Sequence, residues 1–399
     1  MFKHFSLDKI YQYLLIILAF LMPLTVFGAN LIIVIISIIW IFSGSYKSKF
    51  NLIFSNKILI ASIIFFLLHI VGLAWTEDMS WGIHIAHKMW YFIGLFPILY
   101  TIAKSEYVRY YISAFLLAIS FTELISYLIW FELIQPFKYA SIENPTPFMS
   151  HISYNPILAV AIYIVCHEIL FSSKISTIRR FLYSFLSITM SINMFITGGR
   201  AGQVMFFAVI TILIFQYFRD QKIKAIILII ICTSSIFYSA YQLSPLFQER
   251  ALDTIEHIKN YDNAQQTPIA ERITFTINSF HLIRKNPLFG VGTGDFPNEY
   301  SYISKINSPE MRPTTNPHNM YILILCQLGI VGLLSFLSIF YYQIKFSLTS
   351  SNKFNHDFGL ALPFLFLLIM FSDSYLLGHF TSLVYIFFSA FLYKDIEKS

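Results

Sequence analysis

Charged residues are scarce in this chain of 399 residues: Asp, Glu, Lys and Arg make up 12% of it, about half the usual share of a soluble domain. That scarcity excludes an ordinary soluble fold. The net charge is +6, but Lys and Arg are scattered between apolar runs, so no basic stripe exists for nucleic acid. Cysteine is nearly absent. Cys166, Cys232 and Cys326 lie inside apolar segments with neither pairing nor ligand spacing, which argues against a disulfide framework or a metal site. Also missing are a D-x-D pair, H-E-x-x-H, a P-loop and a nucleotide-binding glycine fingerprint. Metal-dependent transfer from a sugar nucleotide is disfavoured with them. Glu77 and Asp78 form the only outer acidic pair, and neighbours on an extended turn point apart.

What the chain has in abundance is apolar sequence: 57% of residues are hydrophobic and mean hydropathy is +0.66. Runs such as LLIILAFLMPLTVFGA and AIILIIICTSSIFYSA approach the roughly 20 residues a helix needs to cross a bilayer. About twelve spans are predicted, at 10–28, 30–44, 57–75, 82–103, 109–134, 153–171, 180–197, 201–218, 223–243, 318–342, 358–375 and 378–394. The expected fold is an all-α polytopic membrane bundle. The first run lacks a cleavage site and reads as a retained helix. Basic residues, from Lys3 and Lys9 to Lys394 and Lys398, fall in alternate connections, whereas the short opposite loops carry only Lys138 and Arg200. Positive charge stays inside, so both termini are expected in the cytoplasm.

Residues 244–317 break the rhythm with a long polar connection, expected outside and too long to be passive linkage. It divides the chain into a bundle at 1–243, a large outer loop at 244–317 and further spans at 318–399. Within the loop, SPLFQERALDTIEHIKNYD and AERITFTINSFHLIRK space apolar residues by three and four, predicting two amphipathic helices. In NPLFGVGTGDFPNEY, Pro287, Gly290, Gly292, Gly294 and Pro297 signal turns.

The stretch NPHNMYILILCQLGIVGLLSFL places His318 and Asn319 at the entrance of a span, with Gly329 and Gly332 further along it. Small residues there let another helix approach closely. A histidine at a membrane mouth suits general-base work near neutrality. It equally suits a plain interfacial cap, and spacing alone does not choose.

His318, Asn319, Gly329, Gly332 and Leu333 together resemble the signature of the bacterial O-antigen ligase family. ITGGRAGQV, 196–204, resembles that family's Arg-containing outer turn, with Val204 where Leu is usual. ERITFTINSFHLIRKNPLFGVGTGDF, 271–296, resembles its loop pattern of an Arg, an amphipathic helix and a P-x-x-G-x-G turn, with Phe275 where Trp is commoner. The resemblance covers about 200–333. It implies an inner-membrane enzyme of the C-type glycosyltransferase fold. The reaction implied is inverting, metal-independent and cofactor-free: a glycan passes from an undecaprenyl-diphosphate donor to a sugar hydroxyl of lipid A–core oligosaccharide at the periplasmic face. His318 would be the base, with Arg200 and Arg272 on the diphosphate.

Chemistry supports the Arg200 role independently of the resemblance. Arg200 lies in a short turn flanked by Gly198, Gly199 and Gly202, where a backbone can approach a ligand and guanidinium binds phosphate bidentately; the bland reading is an Arg that snorkels to headgroups. Arg272, taken alone, is a solvated helix residue. Asn319, Arg284, Lys88 and His84 are further substrate-binding candidates. Arg284 also suits a helix C-terminus, and the pair His84 and Lys88 suits lipid headgroups. His151, Asp373 and His379 are ionisable groups near the outer face, while Glu123, Glu132 and Glu168 read as interior or end-of-span groups. An O-antigen polymerase or a protein O-oligosaccharyltransferase of the same superfamily would share donor and machinery. A lipid-linked sugar transporter would instead need charges near the midplane and broken helices in matching halves. The expected partners are the lipid-linked glycan, lipid A–core and membrane lipids, with no nucleic acid.

Overall fold

The computed structural model describes residues 6–173, 175–259 and 267–394, and all regular structure among them is helical. Chain order gives α1 Leu7–Leu21, α2 Val26–Phe42, α3 Tyr46–Ser55, α4 Lys57–Val71, α5 Met79–Lys88, α6 Phe96–Ile102, α7 Val108–Trp130 and α8 His151–Phe171. These are followed by α9 Thr177–Ile196, α10 Arg200–Tyr217, α11 Lys222–Leu243 and α12 Pro245–Lys259. The remainder is α13 Pro268–Lys285, α14 Phe296–Asn307, α15 Met320–Thr349, α16 Lys353–Ile369 and α17 His379–Leu392.

Each of the twelve expected spans meets a helix, but only seven candidate spans among the described residues are both long and apolar enough to cross a membrane. The others are shorter or more polar. α2 runs into α3 through a 116° bend, so the apolar run at 30–44 ends in a turn. Residues 82–103 are not one regular rod: α5 stops at Met89, a short π-type segment follows at Tyr91–Leu95, and α6 completes the span.

Two compact units are present. The first comprises 1–34 and 104–253, the second 35–103 and 254–399. In the first, α8 is the buried centre, its residues 154–165 almost wholly enclosed. Gly202 of α10 presses on it so closely that a Cβ would sit 2.1 Å from Asn155 Cβ. α11 is the contrast: Ile223, Ile227, Ile230 and Ile231 are all exposed, the composition of a helix face meant for lipid.

In the second unit α4 packs along α15, with Phe65 and Phe336 rings 5.1 Å apart. The loop helices α13 and α14 cover the start of α15 by burying Phe275, Leu282, Phe296, Tyr300, Ile322, Leu323 and Cys326 together. Side chains of this kind contribute about 1.5–3 kcal/mol each on full burial. The predicted turn region therefore continues into a helix, α14, that the sequence reading did not separate.

α15 is two helices joined at Gly329, whose φ of 62° and ψ of −161° are not helical. The break frees backbone groups, and the turn at 287–293 takes them up. Val291 N–H donates to Cys326 O at 2.8 Å, Gly292 N–H to Gln327 O at 3.1 Å, and Ile330 N–H to Pro287 O at 2.9 Å. The Gln327 side chain adds Nε2 to Thr293 O at 2.9 Å. The approach leaves no room for side chains: a Cβ on Gly329 would lie 2.3 Å from the Leu288 carbonyl carbon, and one on Gly290 2.4 Å from that of Gln327. Gly329 thus admits a loop backbone, where the sequence suggested a neighbouring helix. The same turn is tied to the end of α4 and to the α4–α5 connection, since Thr293 Oγ1 donates to His69 O at 2.7 Å and Asp295 accepts from the Glu77 and Asp78 N–H groups.

Candidate active site

His318 is not the first residue of its helix. α15 begins at Met320, and His318 precedes it at a φ of 53°, a left-handed conformation that costs a non-glycine residue roughly 1–2 kcal/mol. Asn316 holds it there by accepting the His318 N–H on Oδ1 at 3.0 Å. Asn319 is the N-cap: its Oδ1 accepts from Tyr321 N–H and Ile322 N–H, and its Nδ2 donates to Phe371 O. The amide proposed for substrate therefore serves the fold at both ends, and helix capping belongs to Asn319 rather than to His318.

The His318 ring meets the connection between α16 and α17. Nδ1 lies 3.2 Å from Asp373 Oδ1, an oxygen that also accepts Ser374 N–H at 2.7 Å and Asn316 Nδ2 at 3.3 Å. Ser374 Oγ closes the ring of contacts by donating to Asn316 Oδ1. Burial pushes the Asp373 carboxyl upward, but the hydrogen bond and charge of His318, the Ser374 N–H and the charge of Arg272 outweigh it, leaving its pKa below the ordinary 3.8. An ionised carboxylate only accepts, so Nδ1 is a protonated nitrogen of the ring, and in the neutral imidazole Nε2 is the one that holds the lone pair. On the other side Phe275 of α13 stacks against the ring at 6.2 Å between centroids.

Arg272 lies one turn before Phe275 on α13, exposed, and its charge reaches both Asp373 and Tyr375. The structure thus brings His318 and Arg272 to one neighbourhood and adds Asp373, a residue the sequence offered only as one of several outer-face groups. Arg284 is exposed in the last turn of α13, twelve residues and therefore about 18 Å along the helix from Arg272. Its position is that of a C-terminal cation. His84 is exposed beside Trp81, ring centroids 5.0 Å apart, and Lys88 ends α5; among the described residues neither bonds to His318, Asp373 or Arg272.

Arg200 belongs to the first unit and opens α10. The glycines around it serve packing: Gly199 and Gly202 face Asn155 of α8, and Gly198 N–H donates to Asn144 Oδ1 at 2.7 Å. The guanidinium, about one-third exposed, stands 3.7 Å from Asp253 of α12. A pair so loose and wet contributes little stability, and an anion of higher charge would displace it.

Helices enough for several crossings define a multi-pass membrane protein, with a histidine paired to a carboxylate just before one of them begins. Residues 185–337 match the family model described as O-antigen ligase. The match takes in the Arg200 turn, α13, the P-x-x-G-x-G turn and His318, and over that stretch it bears out the family that these motifs resemble. No curated protein matches the chain.

Proposed function

We propose that this protein joins a glycan carried on a polyprenyl (undecaprenyl) diphosphate to a sugar hydroxyl of lipid A–core oligosaccharide, at the periplasmic face of the inner membrane. The observation that carries the reading is the pairing of His318 with Asp373 beside Arg272. Nε2 of His318 takes the proton of the acceptor hydroxyl as its oxygen attacks the anomeric carbon. The anomeric C–O bond breaks, its electron pair leaves with the diphosphate, and Arg272 stabilises the charge that develops. Arg200 is assigned to donor phosphate on the family resemblance and on its position at the N-terminus of α10, where a helix favours anions. No metal or cofactor is needed in this account.

The finer topology belongs to the same proposal: twelve crossings, both termini cytoplasmic and residues 244–317 outside, as the distribution of Lys and Arg supports. The test uses purified protein, the lipid-diphosphate glycan and lipid A–core. Formation of the joined lipopolysaccharide supports the reading. Polymerised donor, formed without lipid A–core, would make the protein a polymerase instead.

A further inference from the structure

Between α13, the end of α14 and the connection after it lies a cavity of about 350 Å³, at the small end of the roughly 300–1,000 Å³ typical of ligand sites. Its polar wall is made by Thr274, Asn278, His281, Asn307, Ser308 and Glu310. Three of these are already organised: Asn278, 2% exposed, donates Nδ2 to Ser308 Oγ at 2.8 Å, and Asn307 Nδ2 reaches Asn278 Oδ1 at 3.5 Å. The position is informative. Thr274 adjoins Phe275, whose ring stacks on His318, and the cavity follows α13 from Thr274 to His281, about 10 Å at helical rise.

The lining also says what fits. The wall offers both donors and acceptors, with amides, hydroxyls and an imidazole beside an accepting carboxylate, whereas no Lys or Arg lines the space and Glu310 would repel a phosphate. Ile277 and Met311 supply an apolar side. A lipid chain would desolvate the His281 imidazole and the Glu310 carboxylate while offering neither a hydrogen bond, which is costly. A compact polyhydroxyl ring pairs with them and covers the apolar side.

Resting on the transferase reading above, we infer that this cavity is a saccharide subsite that holds one sugar unit next to the reacting pair. The unit comes either from the donor glycan or from the acceptor core. His281, Asn307 and Glu310 are exposed; His281→Ala and Glu310→Ala leave the Asn278–Ser308 bond in place, and Asn307→Trp fills the space at the cost of the long 3.5 Å contact to Asn278. The full-length protein is assayed for KM and kcat toward the lipid-linked glycan and toward lipid A–core. Loss of a sugar hydrogen bond, or filling of the space by tryptophan, raises one KM about tenfold while kcat stays within about twofold. The substrate whose KM rises is the source of the sugar. In parallel, saturation-transfer NMR measures binding of the oligosaccharide released from the donor, and of that released from the core, to His318→Ala protein. Asn307→Trp in that background abolishes transfer to one of them. Unchanged KM values in all three variants, or undiminished saturation transfer to both oligosaccharides, would overturn the inference. If the wild-type protein transfers no glycan, the proposed function fails, and the NMR comparison still decides the subsite.

Discussion

Asp373 Oδ1 stands 3.2 Å from Nδ1 of His318 and fixes which face of the imidazole is basic. Replacing the carboxylate by an amide of the same shape lets the amide N–H point at Nδ1, so the proton moves to Nε2 and the base is lost. Asp373→Asn is therefore expected to lower kcat by about 10²–10⁴ with KM little changed, by analogy with the tautomer reversal in serine-protease triads. His318→Ala abolishes transfer while membrane insertion stays intact. The double variant should be no worse than His318→Ala alone, because both changes remove one unit; steady-state kinetics on the three proteins, with insertion checked by fractionation, decides this.

The same pair predicts a pH dependence of stability. The folded Asp373 pKa lies below 3.8, so its contribution is fully present above that value and is lost as pH falls through the lower folded value. Thermal unfolding in detergent should show a constant gap between wild type and Asp373→Asn from neutral pH down to about 4. Further acidification narrows the gap. A gap that failed to narrow below about pH 4 would contradict a lowered folded pKa for this carboxyl.

Arg272 and Arg284 share one helix but not one role. Arg272→Ala is expected to reduce kcat/KM by about 10²–10³, the scale of losing one charge-stabilising donor, and Arg272→Lys to restore part of it, since an ammonium keeps the charge but not the bidentate fork. Arg284→Ala should stay within about twofold of wild type, as expected for a surface cation at a helix end. Because phosphate binding here is assigned to guanidinium, activity should persist in chelator; a strict divalent-ion requirement would contradict that assignment.

Arg200 and Asp253 give a sharper contrast. Their ion pair is loose, so Asp253→Asn should change stability by less than about 1 kcal/mol and leave the donor KM unchanged or lower. Arg200→Ala should raise it. Equal loss of activity in both variants would show that the pair is needed as a strut.

Gly329→Ala forces a side chain into a left-handed conformation and against the Leu288 carbonyl. A cost of about 2–4 kcal/mol is expected from conformation and overpacking together. It would appear as a lower unfolding temperature in detergent.

Local elements were legible and long-range ones were not. α13 announced itself by apolar residues at three- and four-residue spacing, and Thr267 caps it as its residue type suggests. α14 carried a start signal too, Pro297 in its first turn, but the surrounding glycines made the segment read as turns. The basis of the His318 site lies 55 residues away at Asp373, and no periodicity links the two. Gly329 looked like a packing residue because a sequence shows that a side chain is missing, not which backbone approaches. The glycines of the Arg200 turn show the same limit: two of them, Gly199 and Gly202, make room for Asn155 of α8, a contact 44 to 47 residues back in the chain.

The broken helix α15 also bears on how the protein is made. Without the turn at 287–293, the carbonyls of Cys326 and Gln327 and the N–H of Ile330 would enter an apolar medium unpaired, at several kcal/mol for each group. That turn precedes α15 in the chain, so the ribosome delivers the partner before the groups that need it.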